Sequence, residues 1–593
     1  MKKRKILLVI LLMILVSTTG LHAEKSAYKI KSITFQGNEV YRSGTLQKVM
    51  ITRTSRFLSP AHYYPEIFSE DMKNLALFYQ QNGYLQAKVA DYSIERNEEK
   101  KQVSITITIF EGEPTYIEGI EIFGNTVFPD STLLKLIDLK NGYLLQQKKV
   151  QDATYKLLTM YANSGYLDAE VVPDILINEE HHRALIDFRV SENDQYSIRD
   201  ININGLEITK KKIVWREVTF KSGEIVNYSK LLTSQRALYL TGLFESVFIR
   251  PVSIDSLSSQ KDIQVDIKEK IPGEFNLGAG YGSLDKLRVF AEVLNSNLWG
   301  TAQKVSLNGK LSSITRKIEA SYTEPWTFGI RLKTDVNLFD KFNKEPGYDV
   351  LQYGVKMIVG KSFTEHSSAS LAYRYEKVRF SNVKVQELPD KYNSNLNSLT
   401  LSAIHDERDN IFNTTRGYVL AGDSEIAKSY QTTSDIYGRL VFSGKYYVPA
   451  SASTICAFSL EAGGLTLFGN STSIPLNERF YAGGPHSLRG FSYRKVGPLD
   501  DKGTPIGGRY KMVGNIEIRQ TLYKFIGGVI FFDFGNVWRF LKDVKRQPMR
   551  SCPGIGLRVA TPLGVVRCDY GFNWFPISGE PSGKLYFSLG QAF

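Results

Sequence analysis

From Pro272 onward the chain alternates in polarity. In DIYGRLVFSGKYYVP (435–449), Ile436, Leu440 and Phe442 fall on one side of an extended strand, and Arg439, Ser443 and Lys445 fall on the other. One face can meet lipid while the other meets a wet lumen. Segments of this kind, separated by polar or Gly-rich turns, run through residues 272–593. At about 20 residues per strand with its connection, they predict a transmembrane antiparallel β-barrel of roughly 16 strands, closed so that every backbone group is paired. A soluble sandwich also alternates. It fits less well with a chain that is exported and ends KLYFSLGQAF (584–593), where Leu585, Phe587, Leu589 and Phe593 share one face.

The preceding part of the chain has a different texture and repeats itself. ITFQGN (33–38), IEIFGN (120–125) and ININGL (201–206) are short alternating strands that end at Gly37, Gly124 and Gly205. Asn38 and Asn125 follow the first two glycines, and the third copy lacks this Asn. Behind these strands, LALFYQQNGYLQAKV (75–89) matches LLTMYANSGYLDAEV (157–171), and ALYLTGLFESV (237–247) is a shorter version. In the first copy Met72, Leu75, Ala76 and Tyr79 lie at i, i+3, i+4 and i+7, which makes one apolar helix face. Ser69 is placed to cap its start and Gly83 its end. Alternating strands follow at 102–110, 183–190 and 261–269. Each unit reads strand, helix, two strands: an α+β repeat, present three times.

Composition refines this picture. The first residues, MKKRKILLVILLMILVSTTGLHA, join a basic start to a short apolar run and predict a signal peptide over 1–23. No later apolar run reaches the roughly 18 residues of a membrane helix, so any further crossing must be made by strands. The formal charge is +13. In an exported protein it points to anionic lipid head groups or to lysines scattered over a solvated surface rather than to nucleic acid, and no nucleic-acid partner is expected. Cys456, Cys552 and Cys568 form no metal or disulfide pattern and are expected to be unpaired. His405-Asp406-Glu407-Arg408-Asp409 is the one cluster with catalytic residue types, but strand alternation sends neighbours to opposite faces. With no P-loop, G-x-S-x-G or H-E-x-x-H, neither enzyme activity nor a cofactor is expected.

The repeats, with their G-N turns and Y-x-x-x-G-Y segments, resemble POTRA domains. The boundaries expected are 24–115, 116–196 and 197–271, with the barrel over 272–593. In the barrel, NLWGTAQKVSLNG (297–309), SYTEPW (321–326), HDERDN (405–410) with TRGY (415–418), LRGF (488–491) and FFDFGNVW (531–538) occur in order. Together they resemble the BamA/TamA superfamily of outer-membrane assembly and export proteins. The resemblance implies an outer-membrane location with the repeats in the periplasm. It also implies that Arg489, Gly490 and Phe491 tip an extracellular loop folded back into the barrel, with Asp533 and Glu517 as inner-wall acids meeting Arg489. A planar guanidinium suits such a carboxylate, which it can hold through two bonds. The resemblance further implies a lateral seam between the first and last strands. Gly278, Gly280 and Gly282 would weaken the first strand, and Gly590 and Phe593 lie in the last. Its partners would be unfolded outer-membrane client proteins and outer-membrane lipids. Three repeats favour a TamA-like member with an inner-membrane-anchored TamB-like partner, because BamA-like members generally have five. The alternatives are a two-partner secretion exporter and, less well matched, a passive porin.

Overall fold

The computed structural model describes residues 28–55, 61–255, 258–386, 388–411, 413–430, 434–523, 525–561, 564–577 and 579–589. The expected signal peptide, Gly590 and Phe593 lie outside the described residues. The chain forms two compact units whose boundary runs through the third repeat.

In the first repeat, β1 (Lys29–Gln36) is followed by a short helix (Ser43–Val49), a long helix (Pro65–Gln81), β2 (Lys88–Asn97) and β3 (Gln102–Phe110). β3 lies in the middle of the sheet, parallel to β1 and antiparallel to β2. Val103, Ile105, Ile107 and Ile109 alternate inward along β3, and Leu75 and Tyr79 of the long helix close over them, all buried. Each such side chain contributes about 1.5–3 kcal/mol by leaving water. The second repeat has the same order: β4 (Tyr116–Phe123), helices Asp130–Leu136 and Gln147–Asn163, β5 (Glu170–Asn178) and β6 (Arg183–Ser191). So has the third: β7 (Ser197–Asn204), helices Lys211–Trp215 and Tyr228–Leu240, β8 (Phe244–Ser253) and β9 (Gln260–Glu269).

Two local expectations are corrected. Each repeat carries two helices rather than one, because a helix of five to seven residues is too short to show a 3.6-residue period. Ser69 does not cap the long helix. That helix begins at Pro65, whose fixed φ and missing N–H suit the first helical position, which puts Ser69 in its interior.

The recurring glycines have a shared geometric cause. Gly37, Gly124 and Gly205 have φ of +73°, +84° and +83°, and each presses its Cα against the carbonyl of Ile109, Val190 or Ile267, where a Cβ would collide. Two residues beyond each carbonyl stands an acid that binds the turn. Glu111 accepts the Val40 N–H, Glu192 those of Thr126 and Val127, and Glu269 those of Glu207, Ile208 and Thr209. Asn38 and Asn125 each donate through Nδ2 to a carbonyl three residues on, at 2.8 and 2.9 Å. The Gly-Tyr segments have a separate task. The Gly83 carbonyl accepts the Thr115 N–H and the Gly165 carbonyl accepts the Tyr196 N–H, at 2.8 and 2.9 Å, so each long helix ends on the chain entering the next repeat.

The barrel strands are β10 (Gly273–Gly282), β11 (Lys286–Leu298), β12 (Gln303–Ser312), β13 (Thr315–Glu324), β14 (Lys333–Glu345), β15 (Tyr348–Ser362), β16 (Ser367–Ser381) and β17 (Tyr392–Asp406). They continue with β18 (Gly417–Tyr430), β19 (Ser434–Ser451), β20 (Thr454–Phe468), β21 (Tyr510–Tyr523), β22 (Ile526–Trp538), β23 (Arg550–Thr561), β24 (Gly564–Phe572) and β25 (Gly583–Leu589). Consecutive strands pair antiparallel, and β10 pairs with β25 to close the barrel. On β19, Ile436, Leu440 and Phe442 are exposed on the outer face, while Tyr437 is buried on the inner one. Residues 469–509, between β20 and β21, fold against the inner wall. Ile474, Phe480, Leu488, Phe491 and Val496 form a buried cluster with Tyr437, Val513, Val537 and Cys552 of the strands, and Leu476 joins a second one with Tyr348, Val350, Val378 and Phe380.

Candidate functional site: the lumenal loop anchor and the seam

The loop between β20 and β21 is held by charge as well as by its apolar core. Gly483 and Gly484 turn the chain at φ of +99° and +110°, and the Gly484 N–H bonds the Leu488 carbonyl. This presents Arg489 to β22. Its Nε donates to Asp533 Oδ2 at 2.9 Å, its Nη2 to Oδ1 at 2.7 Å, and its backbone N–H to Oδ2 at 3.0 Å. Nη1 donates to Glu517 Oε1 at 2.7 Å. The guanidinium also stacks 3.5 Å over the Phe531 ring. Arg489 is 3 % exposed and Asp533 0 %, so the pair is sealed from water. The structure thus brings together the arginine and both acids singled out in the sequence.

Gly490 supplies space. Its N–H points to Cys552 Sγ at 3.1 Å, and a Cβ there would stand 2.6 Å from Cys552 Cβ. Phe491 is buried, lies under Arg550, and accepts the Tyr586 hydroxyl proton of β25 at 2.7 Å through its carbonyl. The three cysteines are free thiols.

Several members of the anchor carry no sequence signal of their own. Asn515 Nδ2 donates to Asp533 Oδ1 and to the Ser487 carbonyl, at 2.8 and 2.7 Å. Asp569 of β24 lies 3.9 Å from Arg489 and is itself held by Arg558 and Arg567. Two further ion-pair nodes tie down the same loop. Glu478 meets Arg374 of β16 at 3.4 Å, and Arg374 also meets Glu425 at 2.8 Å. Arg494 meets Glu345 at 3.1 Å and stacks 4.1 Å over Tyr481. Strand alternation places Glu345, Arg374 and Glu425 on the lumen face. Their loop partners could not be paired with them without knowing how the loop returns.

At the seam, Tyr281 pairs with Leu589 and Gly282 with Ser588. Ser283 reinforces the join: its N–H donates to the Phe587 carbonyl at 2.8 Å, and its Oγ accepts the Phe587 N–H at 2.7 Å. Gly278, Gly280 and Gly282 alternate with the exposed Leu277 and Tyr281, which puts all three glycines on the lumen side of β10. The residues around His405 do separate by face. His405 bonds Glu407 and Tyr418, while Asp406 holds Arg408.

Three β-α-α-β-β repeats ahead of a sixteen-strand barrel, with a long loop pinned in its lumen, define an outer-membrane barrel protein with POTRA repeats. The Omp85 superfamily domain matches residues 297–593, and the POTRA domain described as the surface antigen variable number repeat matches 28–112, 115–193 and 196–270. The chain belongs to the Omp85 superfamily and is an outer-membrane protein whose N-terminal repeats lie in the periplasm. It is 25% identical to the outer membrane protein assembly factor BamA of Neisseria meningitidis serogroup B, over 96% of this chain and 79% of that one. It is 24% identical to the BamA of Nitratidesulfovibrio vulgaris, over 89% and 68%. Among solved structures, BamA from Haemophilus ducreyi lacking POTRA domains 1–3 has the same fold, with a TM-score of 0.67, 21% identity, and coverage of 81% of this chain and all of that one.

Proposed function

We propose that this protein assembles other β-barrel or surface proteins at the outer membrane, templating a client strand on the edge of β10 and releasing it sideways into lipid. The observation that carries the reading is similarity along 96% of the chain to a protein named as an outer membrane protein assembly factor. The geometry supports it in two ways. Among the described residues, β10 is paired to the closing strand at Tyr281–Leu589 and Gly282–Ser588, whereas it is paired to β11 along its whole length. The lumen holds a loop with its own buried core, which argues against a passive pore. Strand pairing and bilayer distortion would then drive insertion without a nucleotide. Within this reading, three repeats favour a TamA-type member working with an inner-membrane-anchored TamB-like partner. Depleting the protein and quantifying the outer-membrane proteome tests the function. A joint fall of several barrel proteins is expected. Loss of one large secreted protein with every barrel intact would overturn it in favour of an exporter.

A further inference from the structure

The lumen-side glycines of β10 are not bare. Gly278 pairs with Phe290 of β11, and a Cβ at 278 would stand 1.9 Å from a carbon of the Phe290 ring. Gly280 pairs with Arg288, and a Cβ at 280 would stand 2.7 Å from both Arg288 Nε and the Leu589 carbonyl oxygen. A Cβ at Gly282 would collide with the Asp285 carboxylate. Side chains from β11 and its turn therefore lie flat across β10, in space that only glycine leaves open.

One of them crosses the whole strand. Arg288 Nη2 donates to the Leu589 carbonyl and to Ser588 Oγ of β25, each at 3.4 Å, while Nη1 pairs with Asp285 at 3.3 Å. The guanidinium is rooted on β11, passes over Gly280 and ends on β25. It joins two strands that are not neighbours, on either side of the seam, and it does so from the lumen. The lipid-side contact is an aromatic pair, Tyr281 with Phe587 at 6.5 Å.

We infer that Arg288 is a positioning residue: a lumenal latch that holds β25 against β10, with Gly280 as the gap through which it reaches. This rests on the assembly reading above, in which β25 must yield the edge of β10 to a client strand; the latch sets how readily it yields. A donor of this kind suits the role because it binds a backbone carbonyl and a hydroxyl. It can let go of β25 without any strand hydrogen bond of β10 being spent on it.

The test is hydrogen exchange by mass spectrometry on the full chain in lipid vesicles, comparing wild type with Arg288→Ala, Arg288→Gln, Gly280→Ala and the double variant Gly280→Ala/Arg288→Ala. Arg288→Ala and Gly280→Ala should each raise exchange about tenfold or more over 273–282 and 583–589, leaving 367–406 unchanged. The double variant should be no faster than Gly280→Ala alone, which removes the Arg288 contact and also crowds the Leu589 carbonyl. Arg288→Gln should behave as Arg288→Ala and guards against loss of one variant to misfolding. Exchange over 583–589 within twofold of wild type in Arg288→Ala, multiplied effects in the double variant, or loosening of the whole barrel would each overturn the latch. Assembly of a client barrel by the same vesicles is read separately. Wild-type vesicles that assemble nothing would sink the assembly reading, and the exchange comparison would still decide the latch.

Discussion

Arg489→Ala is the most informative single change. In the native protein Asp533 is fully buried and accepts from Arg489 Nε, Nη2 and N–H and from Asn515. The substitution removes both guanidinium bonds and the countercharge, leaving the buried carboxylate to neutral donors: the backbone N–H at 489, Asn515 and, at 3.9 Å, the Cys552 thiol. Removing one partner of a buried pair costs about 3–5 kcal/mol. At about 1.4 kcal/mol per factor of ten, the docked tip should open roughly two to nearly four decades more often. The loop as a whole should stay inside. Leu488 and Phe491 are buried and each retains about 1.5–3 kcal/mol of apolar stabilisation, and the Glu478 and Arg494 nodes are untouched. Exchange should therefore rise at least a hundredfold over 483–491 and change little over 474–480. Arg489→Lys should fall between, keeping the charge but losing the fork. Arg489→Ala/Asp533→Ala should cost less than the sum of its singles, because the stranded charge is gone. Native-like protection of 483–491 in Arg489→Ala would show that the ion pair does not hold the loop tip.

Three other outcomes are expected. Gly165, at φ +92°, faces Ile225 Cγ2, 2.6 Å from where a Cβ would stand. Gly165→Ala should cost on the order of 1–3 kcal/mol at the joint and speed proteolysis between 192 and 197, while Ser164→Ala should not. Burial raises the Glu192 and Glu269 carboxyls, but hydrogen bonds from Thr126 and Val127, and from Thr209 and Ile208, outweigh it and hold both below the ordinary range. Their contribution is complete above the unfolded value of about 4.3 and is lost as pH falls through the lower folded values. Protection of turns 124–127 and 205–209 should fall progressively as the pH is taken below that unfolded value, and Glu192→Gln and Glu269→Gln should flatten that dependence in the same exchange measurement. Glu217, nearly buried, accepts from Trp326 Nε1 at 3.0 Å and pairs with Arg331 in the turn after β13. Glu217→Ala should deprotect 325–332 strongly while Arg236→Ala, at an exposed pair with Glu365, should have little effect on stability.

The barrel was legible because alternation has a period of two and needs only a few residues to declare itself. The long helices were legible for the same reason at period 3.6, with Leu75 and Tyr79 buried where the pattern put them. The short helices were not, since Lys211–Trp215 spans barely more than one turn. The turn acids Glu111, Glu192 and Glu269 follow their strands regularly enough to have been found. Each ends a run of alternating residues, where a charged side chain reads as ordinary strand punctuation. The loop core was illegible in principle. Ile474, Leu476, Phe480, Leu488 and Phe491 have no period, because the two clusters they join are assembled from strands far apart in the chain. Partner choice in the Arg374 and Arg494 nodes fails in the same way: facing is a local property, while meeting depends on how the loop returns.

The loop anchor and the seam are joined through one strand. The Tyr586 hydroxyl of β25 donates to the Phe491 carbonyl, two residues from Arg489, and a Cβ on Gly571 of β24 would press within 2.6 Å of the Arg489 carbonyl carbon. β25 is thus contacted from the lumen by the loop tip and, from β11, by Arg288. A closing strand supported mainly by its neighbours' packing would release gradually as each contact weakened. One supported by a few charged and hydrogen-bonded side chains, each with a distinct bound geometry, releases in steps. The glycines at 278, 280, 490 and 571 are what allow these side chains and the loop backbone to come close enough to act. Their placement, rather than any intrinsic weakness of a Gly-rich strand, is the physical basis on which the edge of β10 can be held shut and yet given up.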